Sequence, residues 1–131
     1  MKTKSKANPK VTKVLSHLNK GIENCGAYTG EDFKTFCREF KSMITSELNK
    51  VGATNYVQSN GHYYISGFFT LKEQPYYICL DDVRYDCGLY NKENLLIRTC
   101  TDYSDFRGGT NNNINIDTDM FLNYFTKKLI L

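Results

Sequence analysis

Apolar residues recur at helical spacing in the first part of the chain and crowd into short runs in the middle. Val11, Val14, Leu15, Leu18 and Ile22 return every three or four residues with lysines between them, so one face packs and the other meets water. The punctuation agrees: Asn8 suits a helix cap, Pro9 the first helical position, and Gly21 stands past the end. "ENCGAY" reads as a loop. The stretch "TGEDFKTFCREFKSMITSELNKVG" carries the strongest helical pattern, with Phe33, Phe36, Cys37, Phe40, Met43, Ile44, Leu48 and Val51 on one stripe. Thr29 with Asp32 resembles a capping box, and Gly52 supplies the stop.

The period then changes. "ATNYVQS" and "HYYISGFFTL" flank Asn60-Gly61, the pair that most often marks a tight hairpin. "KEQP" makes the next turn, "YYICLDDVRY" a third strand, "DCGLYNKEN" a longer connection and "LLIRTC" a fourth strand ending near Cys100. Short connections favour an antiparallel meander. The strands after the hairpin are apolar at nearly every residue, which predicts a sheet covered on more than one side: helices on one face, a partner or second protomer on the other. "NINI" adds a short edge strand. "DTDMFLNYFTKKLIL" is a final helix capped by Asp117 or Thr118, with Asp119 at its positive end and Lys127 and Lys128 at its negative end. The expected class is α+β: two N-terminal helices, a four-stranded antiparallel meander and a C-terminal helix.

Length changes this picture little: 131 residues fit one domain. Charge changes it more. Six of the 17 basic residues are lysines in the first 20 positions, which hold no acid, so the rest of the chain has 11 basic against 14 acidic residues and a net charge of −3. The basicity therefore belongs to one end. Residues 1–7 have nothing to bury and read as a flexible basic arm, leaving residues 8–131 as the domain. A nucleic-acid-binding arm would use Lys2, Lys4, Lys6, Lys10 and Lys13.

No apolar run has the length of a membrane span, and the basic start is not followed by a signal-peptide core, which favours a cytoplasmic protein without membrane contact. The five cysteines form no C-x-x-C pair and no even framework, so neither a zinc site nor a set of disulfides is expected. His17 and His62 lie in no metal-binding or general-base spacing. Asp81 and Asp82 point to opposite faces of a strand and cannot share one ion, whereas a cross-strand pair between Asp81 and Arg98 would explain a charge in an apolar strand. Cys87 has the loop setting of a nucleophile but no base. These absences favour a protein that is not an enzyme and holds no cofactor.

The polar segment "TDYSDFRGGTNNN" after the fourth strand has two readings. Thr101, Asp102, Ser104 and Asp105 make turns with their side-chain oxygens, and Gly108-Gly109 offers positive-φ backbone, so the segment can be a loop bonded to itself. The same residues suit a binding loop. There Arg98 and Arg107 bring positive charge, glycine amides form an anion nest, and Asp105, Thr110, Asn111, Asn112 and Asn113 add polar contacts. No Walker or dinucleotide fingerprint is present.

Ile97, Arg98 and Thr99 closing a strand, then Asp105, Phe106, Gly108, Gly109 and Asn111 in the loop behind it, resemble a pattern of small uncharacterised accessory proteins of bacterial phages and mobile elements. The resemblance covers residues 62–114. It implies an accessory factor that binds and modulates a host or defence component in the host cytoplasm. Three functions are thus expected to compete: a protein-binding factor, including one that pairs with itself; a nucleic-acid binder using the lysine arm; and a binder of a phosphorylated small molecule or nucleotide at the Arg/Gly-Gly loop.

Overall fold

The first helix begins as its sequence dictates. Asn8 Oδ1 accepts the Lys10 amide at 3.0 Å, Pro9 takes the first position, and α1 runs over Pro9–Lys20. Val11, Val14 and Leu18 are buried and Leu15 packs against the core from its edge. The computed structural model describes residues 8–20, 30–61, 64–80 and 94–130. Ile22, Thr29 and the proposed arm lie outside them, as do Cys25, His62, Asp81, Asp82 and Cys87.

α2 spans Gly30–Asn49 and is held by its stripe: Phe36, Phe40, Met43, Ile44 and Leu48 are all fully or nearly fully buried. Its end is a Schellman motif. The Ala53 amide reaches the Leu48 carbonyl at 3.1 Å and the Gly52 amide the Asn49 carbonyl at 3.2 Å. Gly52 sits at φ +80°, which a residue with a Cβ resists.

β1 (Thr54–Asn60), β2 (Ile65–Leu71), β3 (Gln74–Leu80) and β4 (Asn94–Asp102) follow in an antiparallel meander, as the pattern predicts. Two details differ. Asn60-Gly61 does not make a two-residue turn: Asn60 pairs with Ile65, and the Gly61 amide closes a four-residue loop onto the Tyr64 carbonyl at 2.8 Å. The tight turn is Lys72-Glu73, where Leu71 pairs with Gln74 and both turn residues take positive φ, 52° and 69°. Seven consecutive pairs between β2 and β3 fix that register, so the backbone enters the left-handed region although neither side chain favours it.

The third difference is larger. The fourth strand does not end near Cys100 and give way to an irregular loop. β4 continues to Asp102, turns at Tyr103-Ser104, and returns as β5 (Asp105–Gly108) and β6 (Asn112–Asn115), both antiparallel to β4. The turn is an Asx turn, with Asp102 Oδ1 accepting the Ser104 amide at 2.8 Å and the Ser104 hydroxyl at 2.7 Å. Pairing runs Asp102 to Asp105, Cys100 to Gly108 and Ile97 to Asn112, so the register slips by one residue twice. The polar segment is one long hairpin arm broken by bulges. The six strands of the described residues form one sheet.

α3 covers Met120–Ile130. Its start differs from the expected Asp117 or Thr118 cap: the Met120 amide closes onto the Asp117 carbonyl at 3.3 Å, and Asp119 takes φ 65° before the helix begins. Phe69 of β2 meets Phe121 and Phe125 edge-on, with centroids 5.6 and 6.2 Å apart. α2 and α3 bury the face of the sheet that carries Ile65, Phe69, Ile78, Leu80, Leu95 and Ile97, and α1 packs on α2. This is a two-layer α+β architecture.

One charged residue sits inside it. Glu47 of α2 is fully buried. Its Oε2 accepts the Asn8 amide group at 2.7 Å and lies 3.0 Å from Lys50 Nζ; its Oε1 accepts the Asp119 backbone amide at 2.6 Å. Lys50 closes the ring on Asp119 Oδ1 at 2.8 Å. Burial draws the Lys50 ammonium down, but hydrogen bonds to Asp119 and Glu47, and their charges, outweigh it and hold the pKa above its ordinary value. One carboxylate thus ties together the start of α1, the end of α2 and the start of α3.

Candidate functional site

Strand alternation leaves a second sheet face. Among the described residues no helix lies over it, yet it is not polar. The register aligns Val57 with Phe68, Phe68 with Tyr77, and Tyr77 with Arg98, a row crossing four strands. The Phe68 and Tyr77 rings stand 5.3 Å apart, and Arg98 Cζ lies 4.8 Å from the Tyr77 ring centre. That separation suits a cation–π contact. Tyr103 folds back from the β4–β5 turn and stacks on Phe68, with centroids 5.3 Å apart and planes 18° apart. Its hydroxyl is held by Thr70 Oγ1 at 2.7 Å and by the Asn55 carbonyl at 2.9 Å. Burial pushes the Tyr77 phenol well above its ordinary pKa. The nearby Cys79 acts in the same direction and the Arg98 charge opposes both, so at neutral pH the ring is uncharged and its hydroxyl a donor.

The neighbouring row is Ser59, Ser66, Cys79, Leu96 and Asn113. Asn94 donates to Asn113 Oδ1 at 2.9 Å, which orders the polar rim. Val57 is the most open apolar side chain here, 48 % exposed, while Phe68, Tyr77 and Leu96 are half-buried by one another.

The residues singled out in the polar segment divide between two sides of this sheet. Arg98 is on the open face, donating from Nη1 to Asn111 Oδ1 at 2.7 Å. Tyr77 stands opposite it in the register, and Asp81, the expected ion-pair partner, lies outside the described residues. Asn113 shares that face, whereas Asn112 pairs with Ile97 and donates to the Thr110 carbonyl at 3.0 Å. Asp105 and Arg107 belong to β5, and their side chains lie outside the described set. The glycine pair acts differently from the positive-φ expectation: neither Gly108 nor Gly109 takes positive φ. A Cβ on Gly108 would run into the Thr99 carbonyl oxygen and one on Gly109 into Thr99 Oγ1, so glycine is required for close approach of β5 to β4. The Gly109 amide is spent on the Thr99 carbonyl at 3.0 Å. An anion nest needs left-handed backbone and open amides, and this pair supplies neither at Gly109.

Of the lysines assigned to a basic arm, Lys13 approaches Glu39 at 3.8 Å and Lys10 lies beside α2. Lys2, Lys4 and Lys6 are outside the described residues. His17 is half-buried, 2.8 Å from Glu39 Oε1, against Phe36. Among the described residues no three His, Cys, Asp or Glu side chains converge as metal ligands, and no helix is long and apolar enough to cross a membrane. Burial pushes the Cys37 thiol up to about 11, which makes it a poor nucleophile at neutral pH.

Sequence reasoning singled out Arg98, Asn111 and Asn113 but missed Val57, Phe68, Tyr77 and Tyr103. The signal was the second apolar set of β2 and β3, since a strand covered on one side only should alternate with polar residues. No family model matches the chain, nor does any curated protein or solved structure.

Proposed function

We propose that the chain is a non-enzymatic binding module that docks another protein on the open face of its sheet. One observation carries this reading: the row Val57–Phe68–Tyr77–Arg98 lies across the side of the sheet that the described helices do not cover. Aromatic residues and arginine dominate the centres of protein interfaces, and a rim of Ser and Asn suits the hydrated edge. Tyr103 holds Phe68 in place, so the surface is ordered before binding and little side-chain entropy is lost on contact. Arg98 is the one cation in the row, which argues for a protein surface rather than a polyanion on this face. The resemblance of residues 62–114 to accessory proteins of phages and mobile elements suggests a host or defence component as the partner, modulated by occupancy.

The test is Val57→Asp. The residue is half exposed on an edge strand, so circular dichroism and melting should change little. A charge placed at the row's end should weaken capture of the partner by about a hundredfold, in the range of an interface hot spot. A photo-crosslinking side chain at position 57 should label that partner, and one at Leu122 on α3 should not. Sedimentation of the wild type and of Val57→Asp reveals whether the partner is a second copy. Undiminished capture by Val57→Asp refutes the proposal.

A further inference from the structure

The opposite side of the molecule carries a different surface. Lys34, Arg38 and Lys41 recur at intervals of four and three residues along α2 and so share one solvent-facing stripe. Two adjoining grooves run along it, of about 460 and 280 Å³, sharing Arg38 and Lys41. Lys10 reaches the first from α1, where Ser42, Thr45 and Asn49 continue the wall; Lys34, Gln58 and Asn60 line the second. No acidic side chain among the described residues lines either groove. Of the α2 acids whose side chains are described, Glu39 faces Lys13 and His17, and Glu47 is buried against Asn8, Lys50 and Asp119. Arg38 is steadied by donating to Thr35 Oγ1 at 3.2 Å.

We propose that these grooves bind the phosphodiester backbone of a nucleic acid strand laid along α2. Apart from Cys37 in the second groove, the lining is the set that contacts phosphates (Lys, Arg, Ser, Thr, Asn and Gln), and it has no exposed aromatic ring to stack on a base, so recognition follows charge and not sequence. A peptide would want an apolar anchor pocket and an anionic membrane an apolar face, and neither is present in this lining. The sequence places Lys2, Lys4 and Lys6 just before Asn8, which itself donates to Ser46 Oγ on the groove wall at 3.3 Å. The sheet face and this one lie on different layers, so one molecule can hold a protein and a nucleic acid together.

The experiment is fluorescence anisotropy of a labelled mixed-sequence oligonucleotide, single-stranded and duplex, with the full chain across a salt titration. Four cations should give a slope of log affinity against log salt of about −3 to −4. Arg38→Ala with Lys41→Ala should flatten that slope by about 2 and lower low-salt affinity by at least about tenfold. Lys10→Ala with Lys41→Ala should do the same, and Leu122→Ala on α3 should change neither. The double variants should still lower affinity when Lys2, Lys4 and Lys6 are replaced by alanine. Absence of binding at low salt overturns the proposal. So does an unchanged slope in both double variants, or equally tight binding of polyglutamate or of phosphatidylserine vesicles.

Discussion

Glu47→Ala should destabilise the fold more than any surface substitution, for reasons that can be worked through contact by contact. The carboxylate is fully buried, accepts the Asn8 side-chain amide at 2.7 Å and the Asp119 backbone amide at 2.6 Å, and pairs with Lys50. Each hydrogen bond to a buried charge contributes about 1.5–3 kcal/mol. Lys50 adds less, since its side chain is 33 % exposed and can turn to water. Removing the carboxylate strands two donors and opens a cavity, for a loss of about 3–5 kcal/mol. That is a large share of a typical stability of about 5–15 kcal/mol and lowers Tm by roughly 10–20 °C.

Glu47→Gln sharpens the test. The glutamine oxygen can still accept from Asp119, but its NH2 must then face the Asn8 NH2. Asn8 cannot turn over, because its Oδ1 caps α1 through the Lys10 amide. The conservative change should therefore cost about 1.5–3 kcal/mol, one charge-assisted bond. In the Glu47→Ala background Asn8→Ala should shrink to the cap alone, about 1 kcal/mol. Urea unfolding followed by circular dichroism measures the wild type, the three single variants and the double variant. A loss below about 1 kcal/mol for Glu47→Ala, or strict additivity with Asn8→Ala, would refute the reasoning.

Replacing Lys72-Glu73 by Asn-Gly should raise stability by about 1 kcal/mol, because both positions hold positive φ that Asn and Gly tolerate; a lower Tm would contradict the assigned turn. Gly108→Ala should cost about 1–3 kcal/mol by driving a Cβ against the Thr99 carbonyl, and an unchanged midpoint in urea would show that β5 can move away. Alkaline pH should weaken the fold. Cys37 is raised by burial to about 11, the Tyr56, Tyr76, Tyr77 and Tyr124 phenols are raised chiefly by burial, and Lys50 is raised by its acid partners. The folded chain thus keeps protons that the unfolded chain releases, and their stabilisation, complete below the unfolded pKa values, is lost as pH rises from these through the folded ones. The urea midpoint should fall between about pH 9 and about pH 11, with phenolate absorbance rising late and together with unfolding; a constant midpoint would show that these groups are not shifted.

The helices and the meander were legible along the chain because their causes are local. Asn8, Pro9 and the Phe33–Leu48 stripe need only a helix's own period to declare themselves, and Gly52 needs only its missing Cβ. The apolar excess in β2 and β3 likewise announced a second face. What covers Glu47 was not legible, because on its own helix it is one acid among polar residues. Only the meeting of three helix ends encloses it and provides its donors. Asn60-Gly61 sits in a longer loop, and the turn expected at KEQP tightens to Lys72-Glu73, because unbroken pairing from Ile65 to Leu71 fixes where β3 must start, and register outweighs the preference of two turn residues. The polar segment looked like a loop since Asn and Gly disfavour strands. At the margin of the sheet, with β4 as template and Thr99 pressed against glycine, they form one. The row Val57–Phe68–Tyr77–Arg98 is a product of register across four strands, and no single stretch of sequence contains it.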